Sequence, residues 1–165
     1  QSHKGLIDVI SEEGKGSEFK VYLPAIEQVT TEGQREIIKE KSSIKGEGRT
    51  VLIVDDEDAV RNFLSDLITL HGFKVMTAED GQKALNLFEK MPSNFDFIIL
   101  DRIMPALSGI DVLKKIKQIK PDQKVILATG YTLPSELEEA KKLCNSIIMK
   151  PFSGDEILKL IAANS

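Results

Sequence analysis

The sequence predicts an α/β protein built on a doubly wound, five-stranded parallel sheet. The first indication is that short apolar runs alternate with helical patterns five times from Thr50 onward. The second is that the runs VLIV, FIIL, VILA and IIM are apolar without interruption, as in strands that are buried on both faces of a sheet. Because connections between parallel strands are right-handed, these units place helices on both faces. Among doubly wound orders we expect 2-1-3-4-5, which makes strands one and three neighbours at the switch point.

Each of the five units carries signals for the limits of its strand and its helix. The expected strands are residues 51–54, 73–78, 97–100, 125–128 and 147–149. The second run alternates, which is typical of an edge strand. Gly72 is placed to end the first helix. Asp80, Ser108 and Ser153 are placed to cap later helices, the last two with an acidic residue three positions on. A further helix is expected around residues 135–144.

The first 49 residues follow a different pattern. Residues 1–24 contain two alternating segments on either side of EEGKG, which predicts a β-hairpin with glycines in its turn. Residues 25–49 are polar and have little to bury, which is typical of a linker. We therefore expect a hairpin, a linker and, over residues 50–165, the α/β domain.

The composition argues against several classes of function. Net charge is −4, with neither half basic, so we expect no nucleic-acid surface. No apolar stretch approaches the roughly 18 residues of a membrane span, so we expect no membrane contact by this chain. The lone Cys144 suits a reducing compartment, which favours the cytoplasm. The start lacks a methionine and a signal peptide, so we expect a fragment of a longer parent chain that a segment elsewhere could anchor to a membrane.

Polar residues follow four of the apolar runs, where each strand ends. Asp55 and Asp56 follow the first strand, Asp101 the third, and Thr129 and Lys150 the fourth and fifth. Because the carboxyl ends of parallel strands meet at one edge of the sheet, we expect these side chains to lie together. Clustered carboxylates repel one another unless a cation intervenes, and Mg²⁺ prefers oxygen ligands. A carboxylate can also act as a nucleophile toward phosphorus. The pattern predicts a site for a divalent metal and a phosphoryl group.

Four motifs in this order resemble the response-regulator receiver domain over about residues 50–165. They are VLIVDDEDAVRNFL, IILDRIMPALSGIDVL, ILATGY and IMKPF. The resemblance implies a flavodoxin-like fold and a role in a two-component phosphorelay. Asp101 would accept a phosphoryl group from a phosphohistidine on a histidine kinase or a phosphotransfer domain. The loops around Thr129 and the surface of the last two βα units would then shift. The fragment would be a phospho-acceptor and not a turnover enzyme.

The same resemblance implies Mg²⁺ as the cofactor. Its ligands would be Asp56, Asp101 and the backbone carbonyl of Ile103, with Asp55 acting mostly through water. Thr129 and Lys150 would contact the phosphoryl group, and the bond between Lys150 and Pro151 would be cis.

One position departs from the family pattern, and two others tune it. Receivers often carry an aromatic residue three positions before the lysine, whereas this chain has Ile147 there. Tyr131 is the nearest aromatic residue that could respond to Thr129 instead. Ile103 and Tyr131 occupy positions that affect access of water to the acceptor, and their bulk leads us to expect a long-lived aspartyl phosphate.

The segment HKGLIDVISEEGKGSEFKVYLP resembles the last two strands of a histidine-kinase ATP-binding domain. The nucleotide-contacting asparagine and glycine boxes of that domain are absent, so we expect no ATP binding by this chain. A kinase end, a linker and a receiver in that order imply a fragment of a hybrid sensor histidine kinase.

Two other functions remain open at this point. DEDAV at residues 56–60 fits the nucleophile motif of haloacid-dehalogenase-type phosphatases, with Asp56 as nucleophile and Asp58 as acid/base. That alternative leaves Asp101 without a role. The other alternative is a docking module that has lost phosphorylation, against which the complete acidic set argues.

Overall fold

The computed structural model describes residues 6–12, 14–22, 45–130 and 134–164. The chain divides into two compact units, residues 1–41 and residues 42–165. Within the described residues, no helix combines the length and the apolar character that crossing a membrane requires.

The second unit is the predicted five-stranded parallel sheet. Its strands are β3 (Thr50–Val54), β4 (Lys74–Ala78), β5 (Phe97–Asp101), β6 (Lys124–Thr129) and β7 (Ser146–Met149). The order in space is β4-β3-β5-β6-β7, and all four pairs are parallel. The strand order 2-1-3-4-5 and the flavodoxin-like fold are therefore confirmed, with β4 at one edge as expected.

Five helices connect and cover these strands. They are α1 (Asp58–Leu70), α2 (Gly81–Lys90), α3 (Gly109–Ile119), α4 (Pro134–Leu143) and α5 (Gly154–Ala163), and a short 3₁₀ helix spans Pro92–Asn94. Gly72 follows α1 at a positive φ of 81°, as its role in ending the helix requires. The Asp80 side chain accepts a hydrogen bond from Lys83 N, and Ser153 and Glu156 form a reciprocal capping box. The Ser108 hydroxyl likewise accepts from Asp111 N, so the three predicted caps are confirmed.

Two apolar layers bury the sheet on both faces. Leu52 and Val54 of β3 point to a layer formed with α2 and α3, whereas Val51 and Ile53 point to a layer formed with α1 and α5. All four side chains are 0% exposed, which is why this strand is apolar without alternation.

Residues 45–49, the last of the segment expected as a linker, belong to the second unit and pack against its helix and strand ends. Gly46 N donates to His71 O at 2.7 Å, and a Cβ on Gly46 would lie 2.3 Å from Phe73 N, so only glycine fits there. The Arg49 guanidinium lies 5.1 Å from the Phe73 ring centroid, a cation–π distance. The remaining linker residues, 25–44, lie outside the described residues.

The first unit contains the predicted β-hairpin. β1 (Leu6–Glu12) pairs antiparallel with β2 (Gly16–Tyr22), from Leu6 opposite Tyr22 to Glu12 opposite Gly16. Gly14 and Gly16 adopt positive φ angles in the turn. Every residue of both strands is exposed, including the apolar ones. The alternation of apolar residues therefore predicted the strands correctly, but neither face of the hairpin is buried.

Candidate functional site

Three carboxylates converge at the carboxyl edge of the parallel sheet. Asp55 directly follows β3 and Asp101 ends β5, and these two strands are neighbours at the point where the strand order reverses. One carboxylate oxygen from each of Asp55, Asp56 and Asp101 lies within 4.8 Å of the other two. Asp55 and Asp101 are buried, whereas Asp56 is exposed to solvent. The cluster therefore consists of two buried carboxylates and one carboxylate that faces solvent.

Lys150 provides the positive charge in this cluster. Its Nζ lies 2.7 Å from Asp55 Oδ2, 2.9 Å from Asp101 Oδ1 and 3.7 Å from Glu57 Oε1. The residue follows β7, and its backbone N donates to Thr129 O at 2.7 Å. The bond between Lys150 and Pro151 is cis, as the resemblance implied. One ammonium thus contacts both buried carboxylates.

Burial and mutual repulsion affect the protonation of this cluster. Burial raises the pKa of the Asp101 carboxyl, the hydrogen bond and charge of Lys150 oppose that rise, and the charges of Asp55 and Asp56 add to it. Burial also lowers the pKa of Lys150, but the hydrogen bonds to Asp55 and Asp101 and the charges of these two aspartates together outweigh burial and leave that pKa raised. The site therefore favours an added positive charge, which a divalent cation would supply.

The loop after β3 is held in place by hydrogen bonds to Asp55. Glu57 N donates to Asp55 Oδ1 at 3.0 Å, and Arg61 Nη1 donates to the Asp55 carbonyl at 2.6 Å. These contacts direct the other carboxylate oxygen of Asp55 toward Lys150. Sequence reasoning missed both residues, because an arginine on an amphipathic helix carries no signal that it turns back to the preceding strand.

Thr129 ends β6 on the same edge and is 0% exposed. Its Oγ1 accepts a hydrogen bond of 3.0 Å from Arg102 Nε. The structure thus joins Lys150 directly to two of the predicted carboxylates. Through Arg102 it also links Thr129 to residues 102–108, the loop between β5 and α3. Sequence reasoning did not identify Arg102 as part of the site, although its position directly after Asp101 was a signal that could have indicated it.

Gly109 allows the start of α3 to lie close to the backbone of Asp101 and Arg102. Gly109 N donates to Arg102 O at 2.8 Å, and a Cβ on this glycine would lie 2.1 Å from the Asp101 carbonyl oxygen. No side chain fits in that space, so glycine is required for the approach.

The remaining predicted site residues are placed as follows. Ile103 lies in the loop between β5 and α3 and is 60% exposed, and Ile147 on β7 is half-buried. Tyr131 lies outside the described residues. The role of the Ile103 carbonyl as a metal ligand stays a prediction.

The phosphatase alternative is not favoured by the geometry. Asp58, its proposed acid/base, has a side chain that is 84% exposed and paired with Arg61. Asp58 is also not a member of the carboxylate cluster, which instead contains Asp101.

Comparison with known proteins agrees with this site. The family model "Response regulator receiver domain" matches residues 51–162. The chain is 35% identical over 132 residues to "Sensor kinase CckA" of Brucella abortus, a match that covers 77% of this chain and 14% of that protein. It is 32% identical over 116 residues to "Chemotaxis protein CheY" of Thermotoga maritima, covering 69% of this chain and 95% of that one.

A solved structure matches in the same region. The response regulator protein TrrA of Thermotoga maritima, in complex with Mg²⁺ and BeF, is 33% identical with a TM-score of 0.64, covering 71% of this chain and 99% of that one. The chain spans from 14% to 44% of four of its longer curated relatives. With the family model matched over most of the chain and the acidic cluster in place, this chain belongs to the response regulator receiver domain family.

Proposed function

We propose that this receiver domain accepts a phosphoryl group from a phosphohistidine onto Asp101 in a two-component phosphorelay. The observation that carries the proposal is the position of Asp101 at the strand-order reversal, buried, within 4.8 Å of two further carboxylates and 2.9 Å from the Lys150 ammonium. This arrangement provides a nucleophile and charges around it, and phosphoryl transfer depends mainly on such positioning and electrostatics.

The proposed transfer forms one bond and breaks one. A carboxylate oxygen of Asp101 attacks the phosphorus, and the bond between phosphorus and the donor imidazole nitrogen breaks. The electron pair of that bond stays on the imidazole, which takes up a proton from solvent. The Lys150 ammonium stabilises negative charge on the phosphoryl oxygens, and the Thr129 hydroxyl donates a hydrogen bond to one of them. The product is an acyl phosphate on Asp101.

The donor set fits Mg²⁺, because the cluster offers carboxylate oxygens from two fixed residues and one exposed residue. Asp56, Asp101 and the carbonyl of Ile103 would hold the ion, with Asp55 acting mostly through water. When bound, Mg²⁺ supplies positive charge that neutralises the transferring group.

We further propose that the parent protein is a hybrid sensor histidine kinase. Residues 51–165 make up about 70% of the chain, whereas the match to the sensor kinase covers 77%, so that match extends upstream of residue 51. The hairpin lies upstream of residue 51 as well, at residues 6–22, and its two antiparallel strands support its assignment as the end of a kinase ATP-binding domain. The partner would then be a phosphohistidine of a kinase or a phosphotransfer domain, in the cytoplasm.

Intact mass spectrometry after incubation with acetyl phosphate and Mg²⁺ tests the acceptor role. We expect one adduct of about 80 Da, the mass of a phosphoryl group. The adduct should disappear in Asp101→Asn and in excess EDTA. Asp122→Asn is the matched control, because it removes an exposed carboxylate at the other end of the sheet and should leave the adduct intact.

Three results would contradict the proposal. An adduct that persists in Asp101→Asn would assign the acceptor to another residue. Sustained release of phosphate without an adduct would support the phosphatase alternative. A folded protein that forms no adduct and releases no phosphate would be a docking module.

A further inference from the structure

We propose that Arg61 is a positioning residue for the divalent cation. Its guanidinium holds the two ends of the segment formed by residues 55–58, so that the Asp56 carboxylate between them keeps its place in the acidic cluster. This inference rests on the metal site of the function proposed above and adds a residue of α1 to that site.

The Arg61 side chain bridges two residues that lie three positions apart. Its Nη1 donates to the Asp55 carbonyl oxygen at 2.6 Å, and its Nη2 donates to the Asp58 carboxylate. The backbone N of Arg61 donates to Glu57 O at 3.0 Å, which fixes where the side chain starts. Asp56 lies between the two contact points, so one side chain ties down the chain on both sides of it.

This bridge occurs at a helix start that has no side-chain cap. Asp80, Ser108 and Ser153 each accept a backbone hydrogen bond at the start of α2, α3 and α5. Glu57, which occupies the equivalent position before α1, makes no such bond. Arg61 instead holds this end of α1 from within the helix, and its side chain is only 12% exposed, so its contacts are largely shielded from water.

The geometry of the guanidinium makes the bridge suited to positioning a ligand. The group is planar and the spacing of its two Nη atoms is fixed, so it sets the separation of the two oxygens that it binds. Asp55 is buried and also held by Lys150 at 2.7 Å, whereas Asp56 is the exposed member of the cluster. The position of the Asp56 carboxylate therefore depends most on the path of its backbone, which Arg61 holds.

Charge alone predicts the opposite effect, which gives the inference a distinctive sign. A guanidinium beside three carboxylates repels a second cation. Its removal would also leave Asp58 without this ion pair and would add negative charge near the cluster. If only charge mattered, loss of Arg61 would tighten the binding of Mg²⁺. Weaker binding would therefore identify a positioning role.

Titration of the isotope-labelled full chain with MgCl₂, followed by the NMR amide shifts of residues 55–58, measures the Kd for Mg²⁺ in the folded protein. We expect Arg61→Met to raise this Kd about tenfold, the lower end of the usual effect of residues that orient metal ligands. Lys115→Met is the matched control, because it removes an exposed positive charge from α3 and should leave the Kd unchanged. A merely structural role would lower the unfolding midpoint and leave the Kd unchanged, which would overturn the inference. Tighter binding by Arg61→Met would overturn it as well.

A double-mutant cycle identifies the ligand through which Arg61 acts. In an Asp56→Asn background, Arg61→Met should cause no further rise in the Kd for Mg²⁺. An equal rise in that background would overturn the inference, because Arg61 would then act on the metal site by another path.

Two further results keep the test decisive. Arg61→Lys retains the charge but not the planar pair of nitrogens, so it should also weaken binding of Mg²⁺, and it replaces Arg61→Met if that variant does not fold. A Kd for Arg61→Lys equal to that of the unmodified protein would contradict the inference. If Mg²⁺ shifts no amide of the unmodified protein, the proposed metal site fails together with the inference. Normal binding by the unmodified protein, with an unchanged Kd in the variants, would overturn the inference alone.

Discussion

Asp101 is buried beside carboxylates although an ionised carboxylate prefers water. Lys150 compensates part of this cost through its 2.9 Å contact with Asp101 and its 2.7 Å contact with Asp55. Burial nevertheless leaves the pKa of Asp101 raised. The same features that suit this carboxylate to a metal and a phosphoryl group therefore make its charged form unfavourable for folding in the absence of a cation.

We expect Asp101→Asn to be more stable than the unmodified protein near neutral pH in EDTA. The pKa of the Asp101 carboxyl is higher in the folded than in the unfolded state. The contribution of this carboxyl to the free energy of unfolding is therefore fully present below the unfolded-state pKa and is lost as pH rises through the folded-state pKa. The stability difference between the two proteins should thus grow as pH rises from about 4, the ordinary range of a carboxyl pKa.

Urea unfolding of both proteins across this pH range, in EDTA and in excess Mg²⁺, measures the difference. We expect Mg²⁺ to reduce it, because the cation compensates the carboxylates of the unmodified protein. If the free energies of unfolding of the two proteins in EDTA changed in parallel with pH, burial of the ionised Asp101 carboxylate would not destabilise the fold.

The contact between β5 and the start of α3 fixes the position of the loop that joins them, residues 102–108. Ser108 caps this helix, and Gly109 brings its first turn against the backbone of Asp101. The sequence predicted the cap from the spacing of Ser108 and Asp111. It did not reveal that Gly109 touches the end of β5, because that contact depends on how the helix lies across the sheet.

Gly109→Ala should lower stability by about 1–3 kcal/mol, the usual cost of overpacking. It should also reduce the phosphorylated fraction, since the new Cβ would displace the backbone that carries Asp101. Gly130→Ala is the matched control, because a Cβ there meets no atom of the described residues within 4 Å. Urea unfolding and intact mass spectrometry provide the two measurements, and equal behaviour of the two variants would contradict the steric argument.

The two units of the whole chain differ in how they bury apolar surface. The parallel-sheet unit encloses two apolar layers, whereas the hairpin exposes all of its strand residues. Apolar side chains that are at least half exposed there are Leu6, Ile7, Val9, Ile10, Phe19, Val21 and Tyr22. Exposed apolar strands with free edges favour pairing with another chain.

We expect the full chain to self-associate through its hairpin as its concentration rises. A shortened chain that begins at Lys45 keeps the contacts of Gly46 and Arg49 with the sheet and should stay monomeric. Its unfolding midpoint should match that of the parallel-sheet unit in the full chain. Multi-angle light scattering of both chains makes the comparison, and a monomeric full chain at all concentrations would refute the expectation.

The sequence by itself determined the elements and the identity of the acidic site, and its resemblance to a family implied the order of the strands. It could do so because buried strands leave continuous apolar runs, and because Asp55, Asp56, Asp101 and Lys150 each follow such a run. Parallel topology then requires these strand ends to meet at one edge.

Only the tertiary structure decided which side chains touch at that edge. It pairs Lys150 with Asp55 and Asp101, joins Arg102 to Thr129, and turns Arg61 back to the carbonyl of Asp55. These contacts join residues on different strands or on a helix and a strand, through long side chains with many rotamers. Local pattern fixes where such a side chain starts, but only packing in three dimensions determines where it ends.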